Sequence, residues 1–260
     1  MLIPLNTNAL SNTTHLAESF ASAKPFPHVV IENFLDNEFA TVIHDEVRDT
    51  VANINASNDI TQKRKVACTD WNLFGENTFK LISFFNSAAF ISYLEEITGI
   101  SGLLPDPWLE GGGIHQTWRG GFLKMHTDFN WNEKLRADRR INILLYLNKD
   151  WLPEYGGELV LKKVDEDTQK SFPPLFNRLI IFNTNDTTLH GQPHPLKFPE
   201  TYPRASIALY YYTSGLKVRE RMRRRATTTR YLPLEKGDID LSQGSIRSRL
   251  GYLLRRFTRM

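Results

Sequence analysis

The sequence predicts a mainly β protein with flanking helices, and three observations support this fold class. Six short β-like runs follow residue 108 and are separated by Gly, Pro, Asn and Asp. Two segments with helical spacing of apolar residues precede these runs, and no such segment lies between them. The chain is 41% hydrophobic and 23% charged, which is typical of a globular protein. This pattern indicates an antiparallel sandwich or barrel.

The first elements are a strand and two helices. Residues 25–35 are predicted to form an apolar strand, and Asp36 is a candidate N-cap for a helix that continues to about Val51. A second helix is predicted over 86–97, with Asn86 or Ser87 as its N-cap. The predicted buried faces are Phe39, Val42, Ile43 and Val47 in the first helix, and Phe90, Ile91, Leu94 and Ile97 in the second.

Residues 53–80 separate these helices and have no clear period. We predict an irregular segment, and long loops of this kind are often lids over binding sites. Trp71 and Phe74 are candidate substrate contacts, although both would equally well pack on the barrel.

The six β-like runs define the predicted core. They are Ile114–Trp118, Phe122–His126, Ile141–Leu147, Glu158–Lys162, Arg178–Phe182 and Ser206–Thr213. We therefore divide the chain into an N-terminal helical or lid region (1–107), a catalytic core (108–215) and a basic C-terminal extension (216–260).

The net charge of +3 is unevenly distributed. Residues 217–260 carry 13 Lys/Arg against four acidic residues, a net charge of +9, whereas residues 1–216 have a net charge of −6. Five arginines lie within 219–225. We expect this basic tail to contact an anionic partner, either nucleic acid or a membrane, or the protein's own acidic body.

The end of the chain predicts an amphipathic helix. Ser245 is a candidate N-cap, and the apolar residues at helical spacing are Ile246, Leu250, Leu253, Leu254 and Phe257. Basic amphipathic helices can lie on membranes. Packing on the protein itself, or on a second copy in a homodimer, is the commoner use.

Cysteine content and hydropathy indicate the compartment. The single cysteine, Cys68, excludes an internal disulfide and a cysteine-based metal cluster, and favours a reducing, cytoplasmic location. We expect no transmembrane segment, since no apolar stretch is long enough, and no secretory signal.

Polar residues in the β region suggest a metal site. His126 and Asp128 end one predicted strand and, being two residues apart, point to the same face. With His190 as a third ligand they would form the facial triad of non-haem Fe(II) oxygenases, although a lone histidine at a strand end is more often structural. Arg204, and with it Ser206, would hold the far carboxylate of a dicarboxylate co-substrate, since an arginine in a β core needs an anion.

The stretch from about 108 to 215 resembles the Fe(II)/2-oxoglutarate-dependent dioxygenases, in particular their prolyl-4-hydroxylase-like branch. The segments that carry the resemblance are WRGGFLKMHTDF, RRINILLYLNKDW, YGGELVL, NRLIIFN, LHGQPHPL and RASIALYYYT. The resemblance implies a double-stranded β-helix (jelly roll) with N-terminal helices packed on one sheet. It also implies that His126, Asp128 and His190 bind iron, while Arg204 and Tyr146 hold the distal carboxylate of 2-oxoglutarate.

Two departures from the family pattern concern the site. Many relatives have a tyrosine upstream of the His-x-Asp pair, where this chain offers Trp118 or Gln116. His194 follows His190 by four residues, but the HGQP context favours His190 as the ligand. We take Trp118 and Trp71 as candidate substrate contacts.

The implied function is hydroxylation of an unactivated C–H bond, with Fe(II), 2-oxoglutarate, O2 and, as reductant, ascorbate. A prolyl, peptidyl or amino-acid substrate is favoured, and a small metabolite or a sugar is the alternative. A non-catalytic jelly-roll module whose basic tail binds nucleic acid or membrane is the alternative from another class. The acidic body argues against nucleic acid as the substrate.

Overall fold

The computed structural model of the chain describes residues 3–6, 12–50, 56–199, 203–214 and 226–232. Within these ranges the α-helices are α1 (Thr13–Ser22), α2 (Asn37–Thr50), α3 (Glu76–Phe85) and α4 (Ala88–Thr98). No described helix combines the length and the apolar character needed to cross a membrane. The arginines at 219–225 and the helix predicted after Ser245 lie outside the described residues.

Strands account for more of the described chain than helices do. They are β1 (His28–Ile31), β2 (Ser57–Asn58), β3 (Gln62–Cys68), β4 (Leu103–Pro105), β5 (Gly113–Thr127), β6 (Trp131–Asn132), β7 (Ala137–Tyr146), β8 (Leu159–Lys163), β9 (Gln169–Phe172), β10 (Arg178–Asn183), β11 (Thr188–Gln192), β12 (Arg204–Thr213) and β13 (Arg230–Tyr231). The two strands predicted at 114–118 and 122–126 form a single long strand, β5.

The strands form one curled antiparallel sheet in the order β1-β10-β7-β12-β5-β11-β8-β9. The long strand β5 causes the curl, because its first half pairs with β12 and its second half with β11. β3 and β13 also pair with β5. This architecture confirms the predicted jelly roll.

Side-chain alternation along the strands produces two cores. Leu145 on β7 belongs to the large cluster between the sheet and the helices. Its neighbour Tyr146 points to the opposite face, into a smaller cluster inside the curl. The helices α2, α3 and α4 contribute Ile43, Ile82 and Leu94 to the large cluster, so they pack on one side of the sheet as predicted.

The predicted caps begin their helices. The Asp36 carboxylate accepts hydrogen bonds from the backbone N–H groups of Glu38 and Phe39 at 3.0 and 3.1 Å. The Ser87 hydroxyl accepts one from Phe90 at 3.4 Å. The buried face of α2 differs by one position from the prediction, since Ala40 is buried and Val42 is 42% exposed.

The prediction that residues 53–80 are irregular is wrong for the described part, 56–80, whereas a role as a lid stays a prediction. This region contains β3, a short 3-10 helix (Trp71–Leu73) and the start of α3. β3 was missed because its sequence, QKRKVAC, has polar residues where an apolar alternation is expected. Lys65 from this strand faces a polar cavity, so the hydrophobic period is absent for a physical reason.

Glu46 on α2 caps the start of α3 across the helix pair. Its carboxylate accepts four hydrogen bonds, from the backbone and side chain of Asn77 (3.1 and 2.9 Å) and from those of Thr78 (2.6 and 2.8 Å). Although burial opposes it, these hydrogen bonds lower the pKa of Glu46. The carboxylate therefore satisfies donors that the first turn of a helix leaves free.

Replacing Glu46 with alanine should lower the free energy of unfolding by about 1–2 kcal/mol, the cost of losing an N-cap. Urea denaturation at neutral pH measures this difference, and Glu96→Ala, an exposed change on α4, is the control. Because the folded-state pKa is depressed, the stabilisation is present above the unfolded pKa and is lost as the pH falls through the folded pKa. An equal loss in both variants would contradict the capping role.

Candidate active site

A cavity of about 270 Å³ lies inside the curl of the sheet. Its wall includes side chains of β3, β5, β7, β11, β12 and β13. Six of the residues singled out from the sequence line it: His126, Asp128, Tyr146, His190, Arg204 and Ser206.

Three of these residues form a compact cluster. His126 on β5 lies directly opposite His190 on β11, and their ring centroids are 4.3 Å apart. Asp128 follows the end of β5, with Oδ1 3.7 Å from Nε2 of His126 and Oδ2 3.5 Å from Nε2 of His190. One ligand atom from each residue lies within 4.8 Å of the others, a spacing at which a single metal ion can bind all three.

Both histidines are neutral, as metal ligands must be. Burial lowers the pKa of His126, and it lowers that of His190 to about 3. Nδ1 of His126 donates to the backbone oxygen of Lys124 at 2.8 Å, so the lone pair is on Nε2, which faces the cluster.

Asp128 is held by two neighbours on β7. Nη2 of Arg139 lies 2.9 Å from Oδ2, and Asn142 donates to the same oxygen at 2.8 Å. Burial would raise the pKa of this carboxyl, but Arg139, His190 and His126 lower it to about 2. Asp128 is therefore ionised, with Oδ1 left to bind a cation.

Arg204 and Tyr146 lie together at another part of the cavity. Nη2 of Arg204 donates to the Tyr146 hydroxyl at 3.2 Å, and Nε donates to the backbone oxygen of Gly157 at 2.8 Å. Gly157 has a φ of +81°, and a Cβ there would lie 2.5 Å from Leu196. This glycine therefore allows a close approach that fixes the arginine.

The predicted aromatic contacts lie elsewhere. Neither Trp118 nor Trp71 is among the residues that line the cavity. Trp71 donates to the backbone oxygen of Pro107 at 2.9 Å, and Phe74 belongs to the large core. On β5, the side chain of Thr117 faces the cavity. Because side chains alternate along a strand, Gln116 points to the opposite face of the sheet, where its amide donates to the backbone oxygen of Val47.

The structure also separates the two histidines of the HGQPH segment. His190 is 8% exposed and lies in the cluster, whereas His194 is exposed. Strand β11, which was not predicted, carries His190 to its position beside His126.

Several cavity residues were missed from the sequence. They are Lys65, His115, Arg139, Asn142 and Tyr210. One signal was available, because Tyr210 follows the predicted site residue Ser206 by four positions on one strand and must share its face. The three cations Lys65, Arg139 and Arg204 make the cavity basic, so the acidic character of the body did not predict the charge of its site.

Residues 226–232 reach the cavity from the region assigned to the basic extension. Within this segment, Tyr231 lies opposite His126 across the β5–β13 pair, with ring centroids 5.3 Å apart. Its ends are fixed by hydrogen bonds, from Ala226 N to the Asn130 side chain at 2.7 Å and from Leu232 N to the Met125 backbone at 2.9 Å. We call residues 226–232 the C-terminal strap.

The donor set fits a first-row metal and a dicarboxylate. Two neutral imidazoles and one carboxylate on one side of a cavity are the ligands that non-haem Fe(II) oxygenases use. Arg204 provides a charged fork for a carboxylate inside the same cavity.

Solved structures share this fold. A prolyl hydroxylase from Trichoplax adhaerens, in complex with a hypoxia inducible factor peptide fragment, has a TM-score of 0.56 at 18% identity and covers 80% of this chain and 93% of that chain. A Pseudomonas putida prolyl-4-hydroxylase has a TM-score of 0.52 at 16% identity, covering 78% and 100%. HygX from Streptomyces hygroscopicus, with nickel, 2-oxoglutarate and hygromycin B bound, has a TM-score of 0.52 at 11% identity, covering 78% and 87%.

Sequence comparison finds a match for the central part of the chain. A comparison with curated protein sequences found no match. Residues 112–212, however, match the family model of the 2OG-Fe(II) oxygenase superfamily. This segment includes His126, Asp128, His190 and Arg204. The three candidate metal ligands and Arg204 therefore lie in the part of the chain that is similar to the 2OG-Fe(II) oxygenase superfamily.

Proposed function

We propose that the chain is an Fe(II)- and 2-oxoglutarate-dependent oxygenase that hydroxylates an unactivated C–H bond of a prolyl, peptidyl or amino-acid substrate. The observation that carries the proposal is the cluster of His126, Asp128 and His190 beside Arg204 in one cavity. With iron bound, dioxygen would give one oxygen atom to the substrate and one to 2-oxoglutarate, which leaves as succinate and carbon dioxide. Ascorbate would serve as the reductant that maintains Fe(II).

The chain's own residues would position the reactants. His126, Asp128 and His190 would hold the metal on one side, while Arg139 and Asn142 keep the Asp128 carboxylate ionised and oriented. Arg204, Tyr146 and Ser206 would hold the distal carboxylate of 2-oxoglutarate.

The part of the cavity wall near His126, Asp128 and His190 supports a peptide or amino-acid substrate. Phe129, Tyr210 and Tyr231 line the cavity and would pack against an apolar ring or chain. The guanidinium of Arg139 lies 3.4 Å from the Tyr210 ring centroid, and this stacking fixes the position of the ring in the cavity wall.

A small metabolite is the second candidate. HygX, whose structure contains hygromycin B, has a related fold, and so does SnoN, an alpha ketoglutarate dependent epimerase from nogalamycin biosynthesis (TM-score 0.53, 12% identity). The same cavity would then hold a non-peptide ligand.

Succinate formation tests the proposal. Purified protein with Fe(II), 2-oxoglutarate and ascorbate is assayed with proline-containing peptides, free amino acids and small metabolites, and products are examined by mass spectrometry. We expect succinate release to increase with a prolyl or amino-acid substrate, which gains one oxygen atom. Asp128→Asn should abolish this release, and Asp45→Asn, an exposed change on α2, should not. Stimulation by metabolites alone would favour the second candidate, and no succinate under any condition would contradict the hydroxylase function.

A further inference from the structure

Lys65 is a second cation aligned with Arg204 in the cavity. On β3 it pairs with Thr117 of β5, and Thr117 pairs in turn with Arg204 of β12. The three residues thus form one row across three neighbouring strands, and all three side chains line the cavity.

The Lys65 ammonium group has no anionic partner among the described residues. Neither a hydrogen bond nor an ion pair joins its side chain to the described part of the chain, although the side chain is half-buried. Burial and the nearby Arg204 lower the pKa of Lys65 to about 8, while Asp128 opposes this effect. A cation held beside another cation destabilises the ligand-free protein unless an anion enters.

The other charges of the cavity do not satisfy Lys65. Asp128 is the only acidic residue among the described residues that line it, and this carboxylate is already paired with Arg139 at 2.9 Å. Lys65 and Arg204 therefore remain as two positive charges without an acidic partner in the described lining. A carboxylate between them would relieve their repulsion.

We propose that Lys65 binds the distal carboxylate of 2-oxoglutarate together with Arg204. This inference rests on the proposed function, and it assigns a binding residue outside the segment that matches the family. Thr117, which faces the cavity between the two cations, has a short side chain and leaves this space open.

The geometry allows Lys65 and Arg204 to bind the same carboxylate group. Two strand spacings separate the backbones of Lys65 and Arg204, about 10 Å. Both side chains are long and directed into the same cavity, so their charged ends can meet one ligand group between them. The bonds of Arg204 to Gly157 and Tyr146 use Nε and Nη2, which leaves Nη1 for the carboxylate.

Ligand binding by Mn(II)-loaded protein tests the role of Lys65. Calorimetry with 2-oxoglutarate compares wild type with Lys65→Met, which keeps the stem but removes the charge, and with Lys65→Arg, which keeps the charge. We expect Lys65→Met to bind about 10- to 100-fold more weakly, as for loss of a hydrogen bond to a charged group. Lys65→Arg should bind more tightly than Lys65→Met. The control is Lys63→Met, an exposed change on the same strand that should have no effect.

A ligand analogue tests which carboxylate of 2-oxoglutarate Lys65 binds. 2-Oxobutanoate retains the keto acid end of 2-oxoglutarate but lacks the distal carboxylate. Ligand-observed NMR should therefore show equal binding of 2-oxobutanoate to wild type and Lys65→Met. An equal loss for both ligands would overturn the assignment to the distal carboxylate.

Thermal melting separates binding from folding. Without ligand, Lys65→Met should melt no lower than wild type, because the change removes a repelled charge, whereas stabilisation by 2-oxoglutarate should decrease. A lower melting temperature with unchanged 2-oxoglutarate affinity would show that Lys65 is structural and overturn the inference. If wild type itself fails to bind 2-oxoglutarate, the proposed function fails too. If wild type and Lys65→Met bind equally well, only the Lys65 inference fails.

Discussion

Replacing His190 with alanine is expected to weaken metal binding by more than about 100-fold and to abolish succinate formation. Groups that only support a metal ligand contribute about 10- to 100-fold to affinity, so a direct ligand should contribute more. His190 is neutral in the folded protein and its Nε2 lies 3.5 Å from Asp128. The change therefore removes a donor atom and leaves the ionised carboxylate in place.

Mn(II) binding followed by electron paramagnetic resonance measures this loss directly. His194→Ala is a matched control, since it removes an exposed imidazole only four residues away. Thermal melting of both metal-free variants separates loss of a ligand from loss of folding. Unchanged Mn(II) affinity in a folded His190→Ala protein would show that this histidine is structural.

Replacing Arg204 with leucine is expected to weaken 2-oxoglutarate binding by about 100-fold, while Mn(II) binding remains within about threefold of wild type. Arg204 is 8% exposed, and a buried charge-assisted bond to a carboxylate is among the strongest polar interactions in a site. The change also removes the donor to the Gly157 oxygen, so a loss of stability of about 1–3 kcal/mol should accompany it.

Calorimetry with Mn(II)-loaded protein checks the prediction for Arg204. Arg204→Lys keeps the charge but not the planar fork, so its affinity should lie between those of wild type and Arg204→Leu. Arg48→Met, an exposed change on α2, should bind 2-oxoglutarate normally. A folded Arg204→Leu protein with wild-type affinity would exclude this arginine from the co-substrate site.

The jelly roll and the core of the site could be predicted because their signals are local. Short apolar runs separated by turn residues predicted β7, β10 and β12, and a spacing of two residues placed His126 and Asp128 on one face. His190 was named as the third ligand from its place in the sequence, and the resemblance supported it, although its strand was missed.

Other parts of the site depend on contacts between strands that cannot be recognised from a local sequence pattern. β3 was missed because its cavity-facing residues are polar. Lys65, which lies on this strand, was therefore missed as well. Arg139 precedes the strand predicted at Ile141–Leu147, and its contact with Asp128 depends on how the longer observed strand β7 lies beside the end of β5. The negative charge of the body likewise gave no information about the cavity, since the cavity charge depends on a few inward-facing side chains.

The position of the C-terminal strap in the sequence affects which substitutions can change the cavity and where a recombinant fragment should end. The His–Asp–His cluster lies within residues 112–212, whereas Tyr231 reaches the cavity from beyond that segment. Changes in the strap can thus reshape one wall of the cavity without altering His126, Asp128 or His190. A recombinant fragment ending at residue 215 would retain His126, Asp128, His190 and Arg204 but would lose the wall of the cavity that Tyr231 forms. Its substrate range would therefore not represent that of the whole chain.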